Sequence, residues 1–390
     1  MLRSLYSGIS GLRSHQTMLD VTGNNIANVN TAGFKGSAVQ FQDTLSQLTQ
    51  GAGGPQAGLG GTNPAQVGLG VQVAGISTNF AQGSSQATGR ATDMMISGDG
   101  FFVTRQGNET LYSRAGAFDV DAAGRLVTPD GSIVQGLPAV NGVVNEGGRI
   151  GDLTLPMNTV AGAIATSTAT IGGNLPSDAA VGTQLVRDIE AFDAAGRSRT
   201  LTLTFTRSAA GWDVAGADGT GATGAGSLTF ANGLQTGGGN VTVGGVTVQL
   251  DSITGYAKLS TLAVSGQDGR SAGTFAGFSV GKDGTVIGSF TNGASEAVGR
   301  LSLATFANSA GLEKAGGSTY RATFNSGAAT IGAPGADGRG TVSSGTLEMS
   351  NVDLSQEFTN LIVAQRGFQA NARIITTSDE VLQELTNLKR

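Results

Sequence analysis

Gly269-Arg270-Ser271-Ala272-Gly273 spells the G-x-S-x-G string of a nucleophile elbow, in which a sharp strand-to-helix turn exposes the serine to a histidine base. The one histidine of the chain is His15, near the N-terminus, and the residues after Gly273 read as a strand. A serine hydrolase would rest on Ser271 alone, and the string is expected to be a by-product of abundant glycine. Gly219, Gly221 and Gly224 match the G-x-G-x-x-G dinucleotide fingerprint as text. That fingerprint needs a following helix and an acidic residue about 20 residues on. Ser227-Leu228-Thr229-Phe230 reads as a strand instead, which makes the glycines a loop. Asp119-Val120-Asp121-Ala122-Ala123-Gly124, with Asp130 in twelfth place, resembles an EF-hand loop but has Ala123 at a ligand position and no closing glutamate. A hairpin turn is the expected structure. His15 has no second histidine with which to share a metal and is expected to be a polar position on a helix face. No catalytic residue, cofactor or metal is expected from this inventory, and an enzyme is not.

The elements that dominate the pattern are the two ends of the chain. From Asn351 to Arg390 glycine falls away to Gly367 alone and proline is absent. Apolar residues recur at Leu354, Phe358, Leu361, Phe368, Ile375 and Leu382, with Gln365, Ala372 and Asp379 completing alternating steps of four and three, and Leu385 beyond. This is a heptad seam, which needs a partner helix. Asp353 with Gln356 makes a capping start, and Lys389-Arg390 places cations at the negative end of the helix dipole. Such a helix is about 50 Å long, and its large apolar side chains leave on the order of 10 kcal/mol of burial unclaimed if it stands alone. At the other end Leu2, Leu5, Ile9, Leu12, Leu19 and Ile26 repeat the spacing, with Gln16 and Gly23 as weak positions. An ordinary intramolecular helix pair is one reading of such stripes. Both helices are terminal, however, and neither seam is apolar enough for a fully buried helix. Paired termini that also join other subunits are the better reading.

The chain has 390 residues, among them 64 glycines, with 5% aromatic and 13% charged content. Those values argue for turn-dense β structure built from small side chains. Net charge is −5 and no basic run suits a phosphate backbone, so nucleic acid is not expected as a partner. There is no cysteine, hence no disulfide or thiolate site. No apolar run reaches the roughly 18 residues of a membrane span, and no membrane insertion is expected. Gly8, Gly11 and Arg13 interrupt any apolar core in the first residues, so a Sec signal peptide is not expected and an exported protein would need another route.

Along the chain, a helix from Met1 to about Val29 should stop at Asn28-Val29-Asn30-Thr31-Ala32-Gly33. Residues 34–48 suggest a strand followed by a short helical piece. Residues 51–70 are a Gly/Pro-rich linker, flexible or extended. From Val71 short alternating runs, Phe101 to Thr104, Leu111 to Ser113 and Ala117 to Val120, are separated by turn signals such as Gly98-Asp99-Gly100 and Pro129-Asp130-Gly131. Residues 151–269 form a separate block, with Leu201 to Phe205 in near-ideal alternation, the only tryptophan, Trp212, as core anchor, and Gly216 to Gly226 as loop. From Arg270 the earlier character returns. The fold class is mainly β with long terminal α-helices, in a nested layout. Residues 1–50 and 351–390 are a helical domain of paired coiled-coil termini; 71–150 and 270–350 are a split antiparallel β domain; 151–269 are an inserted antiparallel β domain.

Leu19-Asp20-Val21-Thr22-Gly23-Asn24-Asn25-Ile26-Ala27-Asn28-Val29-Asn30-Thr31-Ala32-Gly33-Phe34-Lys35 resembles the N-terminal signature of the bacterial flagellar rod and hook protein family, and Ser350 to Arg390 resembles its C-terminal signature. Gly98 to Val103, Tyr112 to Phe118 and Asp283 to Gly288 are similar to that family's middle β domain. Ala191 to Gly196 with Leu201 to Val214, and Leu301 to Leu312, resemble the hook branch; the stretch Gly51 to Gln66 resembles an insertion of the distal-rod branch, which is the alternative. The resemblance implies a structural subunit that self-assembles through its terminal helices into a flexible tube, a universal joint passing torque from rod to filament. It implies contacts with itself and with hook cap, distal rod and hook–filament junction proteins. Export by the flagellar type III apparatus, without a cleaved signal, to an extracellular place on the flagellum also follows from it. The helix ends would stay loose before assembly and order on joining neighbours. Asn24 and Asn28 would fix register between helices, with Asn25 and Ile26 in the same segment. A β-rich surface or adhesin protein outside the flagellum is the rival class; it gives no reason for seams at both termini.

Overall fold

The structure, a computed structural model, describes residues 2–55, 58, 60–140 and 142–387. The chain forms two compact units. One comprises Met1–Leu155, Ser279–Ile287 and Ala297–Arg390; the other comprises Pro156–Phe278 and Gly288–Glu296.

The first unit contains both long helices, α1 (Leu2–Ala27) and α2 (Leu354–Asn387). α1 stops because the Asn28 side chain turns back to the Asn24 carbonyl at 2.9 Å, competing with the helical ladder. Gly33 then takes φ +68 where the chain passes so close to Ala115 that a side chain would strike its backbone. α2 opens on Asp353, whose carboxylate accepts the backbone N–H groups of Ser355 at 2.8 Å and Gln356 at 3.2 Å. Lys389 and Arg390, expected to face the helix dipole, lie outside the described residues.

After α1 come β1 (Ser37–Asp43), β2 (Ser46–Gln50), β3 (Ala65–Gly68) and β4 (Val71–Thr78). β1 pairs antiparallel with β4, with a bulge between Gln40 and Phe41, and β2 pairs with β3. Two sequence expectations are corrected here. Residues 34–48 contain no helical piece, and the stretch read as a linker carries one strand of a β arm, with a further bridge from Gly53 to Thr62. Every residue of β2 and β3 is exposed, so neither strand has the alternation that marks a half-buried one.

The β part of this unit runs in the order Ile133–Val140, Phe101–Gln106, Glu109–Ser113, Thr319–Arg321, Glu313–Gly316, all antiparallel neighbours. Its core joins Phe101, Val103, Tyr112, Ala304 and Tyr320, with Phe80 and Phe306 set edge-on to these rings. Ser85–Ala87 pairs with Thr346–Glu348, and Met94–Ser97 with Thr341–Ser344. These ladders bring the chain leaving β4 against the chain entering α2.

The second unit is a two-sheet sandwich. Gln184–Phe192, Ser198–Arg207, Trp212–Asp218, Thr223–Ala231 and Leu234–Gly237 make a five-stranded antiparallel meander. The facing sheet has the order Asn240–Val243, Val246–Thr254, Thr168–Asn174, Ala263–Gln267. Thr168–Asn174 and Val246–Thr254 run parallel, a departure from the expected antiparallel block. A parallel pair needs a long crossover, and the whole meander serves as one. Leu201, Leu203, Phe205, Trp212 and Val214 fill the core against Ile171, Val243, Val248 and Leu250.

Gly216 to Gly226, expected as a loop, are mostly strand: only the residues between Asp218 and Thr223 turn. Gly216 lies so close to the Val243 methyl, Gly224 to the Thr242 carbonyl and Gly226 to the Val241 methyl that no side chain fits between the sheets.

Candidate functional site

The chemical look-alikes resolve first. Gly273 opens a strand, Gly273–Val280, and no helix follows Ser271. Gly219 and Gly221 lie in a hairpin connection, where Thr220 donates to Asp218. Asp121 accepts the backbone N–H groups of Ala123 and Arg125 at 2.9 and 2.8 Å and the Arg125 Nε at 2.8 Å, which makes it the clasp of a hairpin turn. Asp193 repeats this pattern with Ala195 and Arg197. Among the described residues no group of three or more His, Cys, Asp and Glu can hold a metal, and no helix is long and apolar enough to cross a membrane.

What the terminal sequences build is a helix pair. Gly8 lies against Ile374 and Ile375, Gly11 against Asn371, Gly367 against the His15 ring, and Asn25 against Glu357, so α1 and α2 run antiparallel along the pair. A methyl carbon on Gly11 would fall 2.6 Å from Asn371 Oδ1, and one on Gly367 2.5 Å from the His15 ring. The inner stripe is therefore small and polar: Gly8, Gly11, Ser14, Thr22 and Asn25 are buried on α1, and Ala364 on α2.

This shifts the seam read from the sequence. Leu5, Ile9, Leu12, Leu19 and Ile26 flank the α1 stripe and are half-buried, while Leu2 has no described side chain. On α2, Leu361, Phe368, Ile375 and Leu382 are half-buried, whereas Leu354, Phe358 and Leu385 are exposed. Phe358, Ile362 and Val363 are 51%, 55% and 55% exposed. By helical spacing Leu354, Phe358 and Ile362 border one side of the inner stripe, and Val363, Ile374, Val381 and Leu385 the other.

α1 also rests on the strands that follow it. Ser10 Oγ accepts the Val71 N–H at 3.3 Å, and His15 meets Phe41 edge-on at 5.8 Å. Asn25, 2% exposed, both donates to the Ser37 carbonyl at 2.8 Å and accepts the Ser37 N–H at 3.0 Å. It also donates to Glu357 at 3.2 Å. The register asparagine within the chain is thus Asn25. Asn24 is exposed, and Asn28 bonds to Asn24 within its own helix end, so this pair does not span the two helices.

Where the pair meets the β part lies a buried polar node that the sequence reading did not find. Lys35 and Glu348 form an ion pair at 2.6 Å with both side chains wholly buried. Lys35 also donates to the Ala81 carbonyl at 2.8 Å, and Glu348 accepts the Gly83 N–H at 2.9 Å. Arg114 approaches the other carboxylate oxygen at 3.5 Å and lies over the Phe101 ring. Burial pushes the Lys35 ammonium below its ordinary pKa, against the pull of Glu348. Asn351 accepts from the Gly36 N–H and donates to the carbonyls of Asn79 and Ala81. The one sequence clue is that Lys35 is the only lysine before Lys258. Beside the node, a cavity of about 480 Å³ is walled by Phe34, Ala115, Ala117, Pro129 and Tyr320.

Three family models match the chain: "Flagella basal body rod protein" over residues 5–35, "Flagellar hook protein FlgE/F/G D1 domain" over 95–169, and "Flagellar basal body rod FlgEFG protein C-terminal" over 343–388. The flagellar hook protein FlgE of Borreliella burgdorferi is 40% identical, with all of both chains covered. That of Treponema pallidum is 38% identical, and the flagellar basal-body rod protein FlgG of Bacillus subtilis 36% identical, again over the full length of both chains. A solved structure, that of Helicobacter pylori flagellar hook protein FlgE2, aligns with 66% of this chain and 98% of its own at TM-score 0.49 and 14% identity, too loose a likeness to bear on the assignment. With full-length identity at this level and models matching both termini, the chain belongs to the flagellar hook protein FlgE family, within the FlgE/F/G group of rod and hook proteins.

Proposed function

We propose that this chain is the structural subunit of a flagellar hook, polymerising through α1 and α2 into a flexible extracellular tube that passes torque from rod to filament. The single observation that carries the polymer contact is the division of labour on the helix pair. Small residues, Gly8, Gly11, Ala364 and Gly367, close the intramolecular seam, and large apolar ones, Phe358, Ile362, Val363 and Leu385, stay uncovered. Each such side chain gains roughly 1.5–3 kcal/mol on burial, which helices of neighbouring copies supply in a tube. Helices then form the inner wall and β units the outer layers, where Gly, Ser and Thr surfaces slide as the tube bends. The work is mechanical, and no residue acts as a catalyst.

Contacts with hook cap, distal rod and hook–filament junction proteins, and export through the flagellar type III apparatus without a cleaved signal, complete this reading. Deleting 382–390 is expected to leave a β-folded monomer by circular dichroism that forms no tubes by electron microscopy. Tubes of normal length from the truncation would overturn the helical contact. The full-length similarity to a basal-body rod protein supports a second reading, a distal-rod subunit. An antibody on isolated flagella separates the two: label on the curved hook supports the first, and label on the rod the second.

A further inference from the structure

Phe324 is the most exposed large apolar residue of the described chain, at 110% relative accessibility, and its position is not slack. The turn that carries it is tied from both sides. Ser326 Oγ accepts the Thr323 N–H at 2.9 Å, and Thr323 Oγ1 accepts the Ser326 and Asn325 N–H groups at 3.2 Å each. Thr323 Oγ1 in turn donates to the Gly311 carbonyl at 2.6 Å, and Asn308 donates to the Asn325 carbonyl at 3.1 Å. Ser326, two residues after the projecting ring, is wholly buried. A turn so held loses little freedom when its crest is covered, which is what a preorganised docking group requires.

A tube of identical subunits cannot be built from a self-complementary patch alone. It needs head-to-tail contacts in which one patch of a copy meets a different patch of the next. The first unit offers a counterpart to the projecting ring. The cavity of about 480 Å³ walled by Phe34, Ala115, Ala117, Pro129 and Tyr320 lies within the roughly 300–1,000 Å³ of sites that enclose small ligands. Asn24, Asn28 and Phe34 place its wall on the segment that closes α1, continuous with the helix assigned to polymer contact. We propose that Phe324 of one subunit seats in this cavity of a neighbouring copy, a lateral contact separate from the helical one. The proposal rests on the self-assembly reading above. It adds to that reading a named residue outside the termini and an acceptor for it.

The absence of cysteine makes the test direct. Phe324→Cys and Ala117→Cys each introduce the sole thiol of their chain. Mixed under polymerising conditions with a mild oxidant, the two variants are expected to give a disulfide-linked pair on a non-reducing gel, well above the yield of either alone. In parallel, Phe324→Ser is expected to raise the critical concentration for tube formation about tenfold, as loss of an interface anchor does, and Phe324→Leu to restore part of it. The monomer melting temperature should stay unchanged, because the side chain is fully exposed in its own chain. Wild-type tubes together with an unchanged critical concentration for Phe324→Ser and no mixed cross-link would overturn this contact and leave the helical one standing. Failure of the wild-type chain to form tubes would overturn both.

Discussion

At the scale of the residue, the stretch that resembled a calcium loop is a turn held by the Asp121 carboxylate, and Asp193 holds a second turn in the same way. Asp121 and Asp193 open the same five-residue pattern, Asp-Ala-Ala-Gly-Arg, in different units. In both, the backbone N–H of the arginine on the carboxylate is the first cause, with its guanidinium also contributing, that holds the carboxyl below the usual range. A folded-state pKa below the unfolded one stabilises above about pH 4, and the stabilisation is lost as pH falls through the folded value. Asp121→Asn with Asp193→Asn is therefore expected to destabilise at pH 6. Against wild type, the urea midpoint difference should narrow below about pH 4 and close near pH 2. A difference that persists at pH 2 would show that the charge is not what matters. The sequence made the Asp121 turn legible because Asp and Gly at that spacing have few other uses. It left the Arg125 and Arg197 clasps unseen, since a side chain four residues along a hairpin turn has no hydrophobic period to announce it.

At the scale of the element, glycine has two roles here that look alike in a sequence. In Gly216 to Gly226 it permits sheet-to-sheet approach, and in Gly219 to Gly221 it permits a turn. Gly224→Ala drives a methyl into the Thr242 carbonyl and is expected to cost about 1–3 kcal/mol, the usual price of overpacking. Gly219→Ala meets nothing within 4 Å and should stay within about 0.5 kcal/mol of wild type. Equilibrium denaturation of the two variants decides whether the glycines were correctly divided. The same ambiguity displaced the helical seam. Spacing placed both helices correctly, and Asp353 caps α2 as its type implies. The phase was read from leucines and phenylalanines, whereas the closest approach of the axes is set by Gly8, Gly11, Ala364 and Gly367. The arm of β2 and β3 escaped notice because strands exposed on both faces carry no pattern to read.

At the scale of the whole molecule, the two terminal segments that match the family, residues 5–35 and 343–388, meet in the Lys35–Glu348 node, 313 residues apart in sequence, and the pair fastens the helices to the β part of the first unit. Removing one member of a buried ion pair costs roughly 3–5 kcal/mol. Lys35→Met leaves Arg114 to neutralise Glu348 and belongs near about 3 kcal/mol; Glu348→Gln strands two buried cations and belongs near about 5. Urea denaturation checks the order, and a milder effect for Glu348→Gln would remove Arg114 from the network. Nothing local in the sequence marks this pair, because its logic exists only once the ends are together. The antiparallel run of α1 and α2 has a practical result as well. Leu2 and Asn387 emerge at one pole of the pair and the node sits at the other. A fluorophore or affinity tag on either extremity would crowd the same location, and swapping it from front to back would gain the experimenter nothing.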